Sequence, residues 1–382
     1  MAPHTLRDLS PSSFKPRVVS IGPLHKKDEN VQELEGRKTS YMIDLMHHTN
    51  SPQKETLKTC LEKVYLSMDQ IKACYIWTDT YDDSEIAKML VMDACFILHY
   101  ILSYHFVAFE ELDSGNAILR QSICYDLVLL ENQIPFFIVD QIFQCIALKF
   151  IPNTSLIELI HPILSDLNLF EADIDTDNIS ISNTCHILSI LHQCYKPQRN
   201  NYPSHDYSSK IHSAVDLDMA GVCFKPNQNP TWVLGMEVKL PRVPCFFWCW
   251  SKPTLRMPAM IVGDDSEFIF RNLMAYELSC TTSKHITSYS YAIDMLVNNS
   301  KDVAKLVDSR VLLNFMGSNE EVANMINNLG RDVWFKPSIP LSLLKPTSRF
   351  VRWPGNHLVW PINIHPGLLI WISAYNMYVL SI

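Results

Sequence analysis

Residues 126–138, DLVLLENQIPFFI, set one carboxylate and two amides inside an apolar run and follow them with a proline. Such groups are costly to bury unless each finds a hydrogen-bond partner. Glu131, Asn132 and Gln133 are therefore expected to hold a fixed junction in the core. The junction would be a helix end, a tight connection, and a new helix with Pro135 in its first turn.

The rest of the composition narrows the class of protein. Of the 382 residues 47% are hydrophobic, enough to build a core and too many for a disordered chain. A net charge of −8 argues against nucleic acid as a partner, since that surface needs clustered positive charge. The ten glycines are spread out, with no two closer than the twelve positions separating Gly355 from Gly367. Loops that cradle phosphates need glycines in close succession, so nucleotide sites of the familiar kinds are not expected. The eleven cysteines are odd in number and irregularly spaced, unlike a disulfide framework. The N-terminus, MAPHTLRDLSPSSFKPR, lacks the apolar stretch of a signal peptide. A reducing, cytosol-facing location is the expectation.

Along the chain, residues 1–30 read as an extended arm that becomes ordered around 18–23. Helical patterning then covers 31–200, with segments at 57–77, 84–106, 135–150, 155–167 and 182–194. The segment 84–106 is apolar on nearly every side, but Lys88 and Asp93 favour a core helix over a membrane span. The polar stretch 195–210 is the best internal boundary. Beyond it, 221–224, 232–240 and 255–262 suggest two to four strands in a small antiparallel sheet. Helices return at 267–280, 286–298, 300–313 and 320–329, the last capped by Ser318 or Asn319. The expected class is α+β and mostly α: a helical body carrying a small β-containing insertion. Residues 201–335 would be that sheet and its following helices, packed on the body. Residues 353–382 contain no Lys, Arg, Asp or Glu, so 336–382 read as a hydrophobic tail at the lower limit for a membrane anchor.

Several clusters invite a chemical reading. Asp93 with Glu131 could form a carboxylate pair for acid–base work, or each could accept bonds from backbone amides or from Arg120 or Arg271. The second reading is the stronger. Asp264, Asp265 and Glu267 resemble a metal–diphosphate motif, but Phe268 stands where its last carboxylate belongs, and capping of the next helix by Asp265 or Ser266 explains them. Asp173, Asp175 and Asp177 begin like a calcium loop, yet Asn178 and Thr184 replace its glycine and bidentate glutamate. Cys185, His186, His192 and Cys194 have zinc-ligand chemistry, but on one helix they cannot converge on a tetrahedral ion. No metal and no cofactor are expected. Arg271 and Asn272 could hold a ligand or simply pair with Glu277 or a neighbouring acid. In PCFFWCWSKP, the aromatics Phe246, Phe247, Trp248 and Trp250 form either a contact patch or a lid over the sheet, with Cys245 and Cys249 among them.

Six segments in order resemble the plant "domain of unknown function 247" family. VSIGPLH at 19–25 matches its VSIGPYHHG-like element, and MLVMDACFIL at 89–98 its MLLDGCFILE-like helix. Residues 126–138 follow its DLLLLENQIPFFVL-like core almost position by position. SAVDLDMAGVCFK at 213–225, MPAMIVGDDSEFIFRNLMAYEL at 257–278 and MGSNEEVANMINNL at 316–329 complete the set. Asp93, Glu131, Asn132, Gln133, Pro135, Arg271 and Asn272 belong to these matched elements and carry a structural role in this reading. Leu24 and Lys26 depart from the first element, and beyond about Val333 the match fades. The expectation for the tail is a diverged anchor, or a truncated or mis-spliced product.

The resemblance implies a membrane-associated plant protein, with some grass relatives implicated in self-incompatibility. It supplies no catalytic residue. Two functions are weighed: a non-enzymatic recognition or signalling protein working through protein partners at a membrane, and a soluble cytoplasmic enzyme with a site near Asp93, Glu131 and Asn132.

Overall fold

A computed structural model describes residues 1–49, 52–75, 81–106, 109, 116–149, 151–181, 184–196, 212–227, 233–239, 252–280 and 283–330. The aromatic stretch at 246–250 and the tail at 336–382 lie outside the described residues. The protein is α+β and mostly helical, with fourteen α-helices and five short strands among the described residues. It divides into two compact units, Met1–Asn168 with Ile174–Cys194, and Leu169–Asp173 with Tyr195–Ile382.

The first unit contains α1 (His4–Leu9), α2 (Gln32–His47), α3 (Gln53–Leu66), α4 (Met68–Ala73), α5 (Asp83–Ser103), α6 (Ala117–Asp126), α7 (Phe136–Ile146), α8 (Leu156–Asp166) and α9 (Ile187–Cys194). Its axis is α5, which packs against α2, α3, α7 and α8. Asp82 and Glu85 start this helix with a reciprocal capping box. Among the described residues it is the single helix long and apolar enough to cross a membrane, and 89% of its apolar window is buried within the protein. Its polar groups find partners on α2: Asp93 meets Lys38, and His99 meets Asp44 at 2.8 Å. Around it, α7 buries the expected stripe of Phe136, Val139, Ile142, Phe143 and Ile146.

Two local readings need correction here. The first thirty residues are not extended throughout, because His4–Leu9 is helical and Pro11–Phe14 is a 3₁₀ turn, with Leu6 and Phe14 buried. Helix α9 begins at Ile187, so Cys185 lies ahead of it and is exposed. Ser189 Oγ stops the helix from extending backwards by accepting the Cys185 and His186 amides at 3.0 and 3.1 Å. Cys185 and His192 therefore do not share a helix face.

The second unit contains α10 (Ala214–Met219), β1 (Cys223–Pro226), β2 (Glu237–Lys239), β3 (Thr254–Met257), β4 (Met260–Val262), α11 (Ser266–Ser279), α12 (His285–Leu296), α13 (Ser300–Asp308), β5 (Leu312–Asn314) and α14 (Asn319–Gly330). The sheet is not antiparallel as expected. β3 lies between β1, to which it is parallel, and β2, to which it is antiparallel. A separate parallel pair joins β4 to β5 across three intervening helices. Parallel neighbours need long crossovers, and periodicity within a strand carries no information about its neighbour's direction. Phe170 bridges to Met260, and its ring packs edge-on to Tyr195, Phe270 and Tyr289.

Strand β5 falls where a continuous helix over 300–313 was expected. Helix α13 stops because Arg310 adopts φ 56° and closes a Schellman turn. Arg310 N–H donates to the Val307 carbonyl at 2.9 Å and Val311 N–H to Leu306 at 3.1 Å. The same turn ends α10 with Gly221 at φ 88°, the residue that does this without steric cost. Of the two caps proposed for α14, Ser318 accepts the Glu321 amide at 3.1 Å, whereas Asn319 accepts from Asn314. At α11, Asp265 makes no side-chain cap, and Ser266 Oγ accepts the Gly263 amide instead.

Asp302, fully buried at the start of α13, joins distant parts of this unit. Its carboxylate accepts Val215 N–H at 2.9 Å and the Asn298 and Asn299 amides at 3.1 and 3.2 Å. Replacing it with alanine removes the charged acceptor of three part-buried hydrogen bonds. Asp302→Ala is expected to cost about 3 kcal/mol or more in urea unfolding. Asp218→Ala, which breaks a half-exposed pair with Lys305, should cost less than about 1 kcal/mol. Equal losses would contradict the assignment.

Candidate functional site

The segment Arg17–Gly22 is irregular, with bends at Arg17, Val18 and Gly22, and pairs with no strand among the described residues. Side chains from three helices and from the turn after α6 satisfy its backbone instead. Asp126, at the end of α6 and fully buried, accepts the amides of Arg17, Val18 and Val19 at 2.8, 2.8 and 2.9 Å. Asn132 accepts Ile21 N–H at 2.7 Å and donates to the carbonyls of Val19 and Asp126, both at 3.0 Å. On α5, Asp93 accepts Gly22 N–H at 2.7 Å. Lys38 on α2 donates to the Ser20 carbonyl, to Asp93 at 2.6 Å, and pairs with Glu35. Val19 and Ile21 bury their side chains beside this network.

The remaining junction residues act nearby. Glu131 accepts the Ala2 amide at 2.9 Å and pairs with the Arg7 guanidinium. Its arginine is thus neither Arg120 nor Arg271, and it does not share a partner with Asp93. Gln133 donates to the carbonyls of Leu127 and Leu129, both at 2.7 Å, and so closes the turn between α6 and α7. Its own carbonyl accepts the Tyr75 hydroxyl at 3.1 Å. That carbonyl also lies 2.7 Å from where a Cβ on Gly22 would stand, and Gly22 has φ 82°. Glycine is required there on both counts. Pro135 sits at the N-cap of α7, one position before the first turn, and Phe136 N–H reaches the Cys185 carbonyl at 2.8 Å.

In the second unit, Arg271 pairs with the neighbouring acid Glu267 at 2.7 Å, and Glu277 serves elsewhere. It also donates to the Asn328 carbonyl at 3.4 Å, tying α11 to α14. Asn272 bonds the Phe268 carbonyl one turn back. Glu277 is fully buried and holds the start of α12, accepting the Ile286 and Thr287 amides at 2.8 Å and the Thr287 hydroxyl at 2.6 Å. Asp175 folds its own loop, accepting the Asp177 amide at 2.8 Å and the Asn178 side chain at 3.1 Å. Lys38, Arg7 and Asp302 were missed in the sequence. A signal existed for Lys38, which lies on the buried stripe of Leu34, Tyr41 and Leu45.

The electrostatics are those of a clamp. Burial works against the Lys38 charge, but the neighbouring Asp93 and Glu35 carboxylates hold its pKa above the ordinary lysine value. Burial raises Glu35, opposed by Lys38. Asp126 is pushed up to about 6 by burial, against the pull of its three backbone donors and the Arg17 charge.

Two outcomes follow from these bonds. Lys38→Met leaves the buried Asp93 carboxylate without its cation, so about 3–5 kcal/mol of stability should be lost in urea unfolding. Adding Asp93→Asn should recover part of it, and strict additivity of the two losses would refute the pairing. For Asp126, the unfolded chain releases its proton near pH ~3.9 and the folded chain near the raised value. Folded protein binds more proton in between, so this residue's contribution to stability falls as pH rises across that window. The fall is on the order of 2–3 kcal/mol. Asp126→Asn should flatten the pH dependence of Tm between about 4 and 6.5 relative to the parent chain. Identical slopes would overturn the assignment.

Residues 19–22, Asp93, Asp126 and Asn132 of this clamp lie in three of the matched sequence elements, whereas Lys38 lies outside them. The chain is 27% identical over 360 residues to a UPF0481 protein of Arabidopsis thaliana, covering 87% of this chain and 72% of the relative. A second UPF0481 protein of the same plant is 21% identical, with 87% and 77% covered. No solved structure matches. The domain of unknown function 247 family, described as plant protein of unknown function, matches residues 1–351, and the chain is a member of that family.

Proposed function

We propose that the protein is a non-enzymatic recognition or signalling protein that acts through protein partners at a membrane. The observation that carries this reading is the commitment of the clamp. Asp93, Asp126, Asn132 and Lys38 are buried, and all four hold backbone of the arm or one another. A catalytic acid or base must reach a substrate proton, and side chains engaged in this way serve position instead. The membrane part of the reading rests on the uncharged run at 353–382 and on the association implied by the family resemblance. The partner-facing part rests on Phe246, Phe247, Trp248 and Trp250, since aromatic side chains dominate contact energies.

Proximity labelling and fractionation in plant cells test both parts. Full-length chain should sediment with membranes after a carbonate wash, and a chain ending at Trp334 should move to the supernatant. Replacing the four aromatics with serine should reduce labelled partners while leaving the membrane fraction unchanged. The reading fails if the two lengths partition alike or if the labelled set is insensitive to the aromatics.

A further inference from the structure

The first unit also holds a cleft of about 440 Å³ that none of the clamp side chains line. Ala117, Arg120, Gln121, Cys124 and Tyr125 form one wall, and their spacing places them on a single face of α6. Tyr104, just past the end of α5, and Asp166, the last residue of α8, form the other.

Opposite charges are held apart across one tyrosine. The Arg120 guanidinium lies 4.9 Å from the centre of the Tyr104 ring, and the Tyr104 hydroxyl bonds the Asp166 carboxylate at 3.0 Å. Tyr100 fixes the arrangement, donating to the Arg120 carbonyl at 2.6 Å and lying 3.2 Å from the Tyr104 hydroxyl. Among the described residues Arg120 has no ion pair. Stacking on a ring leaves the planar edge of a guanidinium, with its forked donors, open to a carboxylate. Asp166 spends one bond on Tyr104, and a carboxylate has further lone pairs.

The backbone reinforces both charges. The first turn of α6, where Ala117 stands, brings the positive end of a helix dipole to the arginine side. The C-terminal end of α8 brings the negative end to Asp166. Burial pushes the Cys124 thiol up to about 12 and raises both phenols, so these groups stay neutral and offer hydrogen bonds and apolar surface. Gln121 bonds the Tyr125 hydroxyl at 2.8 Å and holds that ring in the wall.

We propose that this cleft binds a small zwitterion of the α-amino-acid class, carboxylate on Arg120 and ammonium on Asp166, with its side chain against the tyrosine faces. The inference is independent of the membrane reading and stands or falls separately.

Calorimetric titration of the full-length chain with the twenty L-amino acids tests it. At least one should saturate with a Kd on the order of millimolar or tighter. For L-phenylalanine, the controls are 3-phenylpropionate and 2-phenylethylamine, each lacking one charge. For whichever amino acid binds, the analogues lacking one charge should be weaker by about tenfold or more, because each leaves a charged group of the site unanswered. Arg120→Gln and Asp166→Asn should each weaken binding by a similar factor at an unchanged Tm. Asp166 is exposed, so its variant keeps the test usable should the arginine variant fail to fold. No saturable binding across the panel overturns the proposal. So does binding that survives both substitutions, or a singly charged analogue that binds as tightly as the amino acid.

Discussion

A buried carboxylate accepting backbone amides is the interaction on which the first unit depends. Asp126 takes three consecutive N–H groups of the arm, and among the described residues no strand pairs with the arm to take them instead. Each side of the contact makes the other tolerable. Without the carboxylate the arm buries unsatisfied donors, and without the arm the carboxylate is a desolvated charge. The apolar contacts of Val19 and Ile21 supply burial, while the polar contacts determine which residue occupies each place. A shift of the arm by one residue would put a side chain where Gly22 now adopts φ 82° against the Gln133 carbonyl. It would also move every donor off its acceptor. Register is therefore fixed by one glycine and three acceptor side chains.

The second unit solves the same problem with the same chemistry. Asp302 gathers amides from Val215, Asn298 and Asn299, and Glu277 gathers those of Ile286 and Thr287. Both sites combine amides at or beside a helix N-terminus with a carboxylate, where the dipole favours negative charge. Connections that cross the chain without forming ladders gain a defined geometry in this way. A carboxylate's two oxygens can serve several donors at once, which a single backbone carbonyl does less readily.

What was legible in the sequence follows from distance along the chain. The junction at Glu131–Gln133, the buried character of α5 and the cap of α14 at Ser318 are written in residues a few positions apart. The partner of Glu131 is not, because Arg7 lies 124 positions away. Nothing local distinguishes that arginine from Arg120 or Arg271. Strand direction was misread for a related reason, since each strand's neighbour is chosen by the crossover and not by its own pattern. The end of α13 was missed because Arg310 takes the left-handed turn position where glycine or asparagine would have announced it. Lys38 was the avoidable omission, as a lysine within the apolar stripe of α2 is a buried charge in search of a partner.

The placement of the family elements has a consequence for function. VSIGP in the arm, the aspartate of α5 and the acid and amide around α6 lie far apart in sequence and meet in one hydrogen-bonded clamp. Substitution of the acids or the amide strands buried donors, and a side chain at Gly22 would meet the Gln133 carbonyl, so selection for a folded chain is enough to hold them together. A resemblance carried by such residues transmits the frame and says little about the ligand. Positions free to diverge without unfolding the protein are those on open walls, such as Arg120 and Asp166 in the cleft beside α6. There a changed side chain leaves the hydrogen bonds of the clamp intact, since none of the clamp side chains line the cleft. The frame offers little room for change, because each acid and amide in it already holds backbone of the arm or a buried cation.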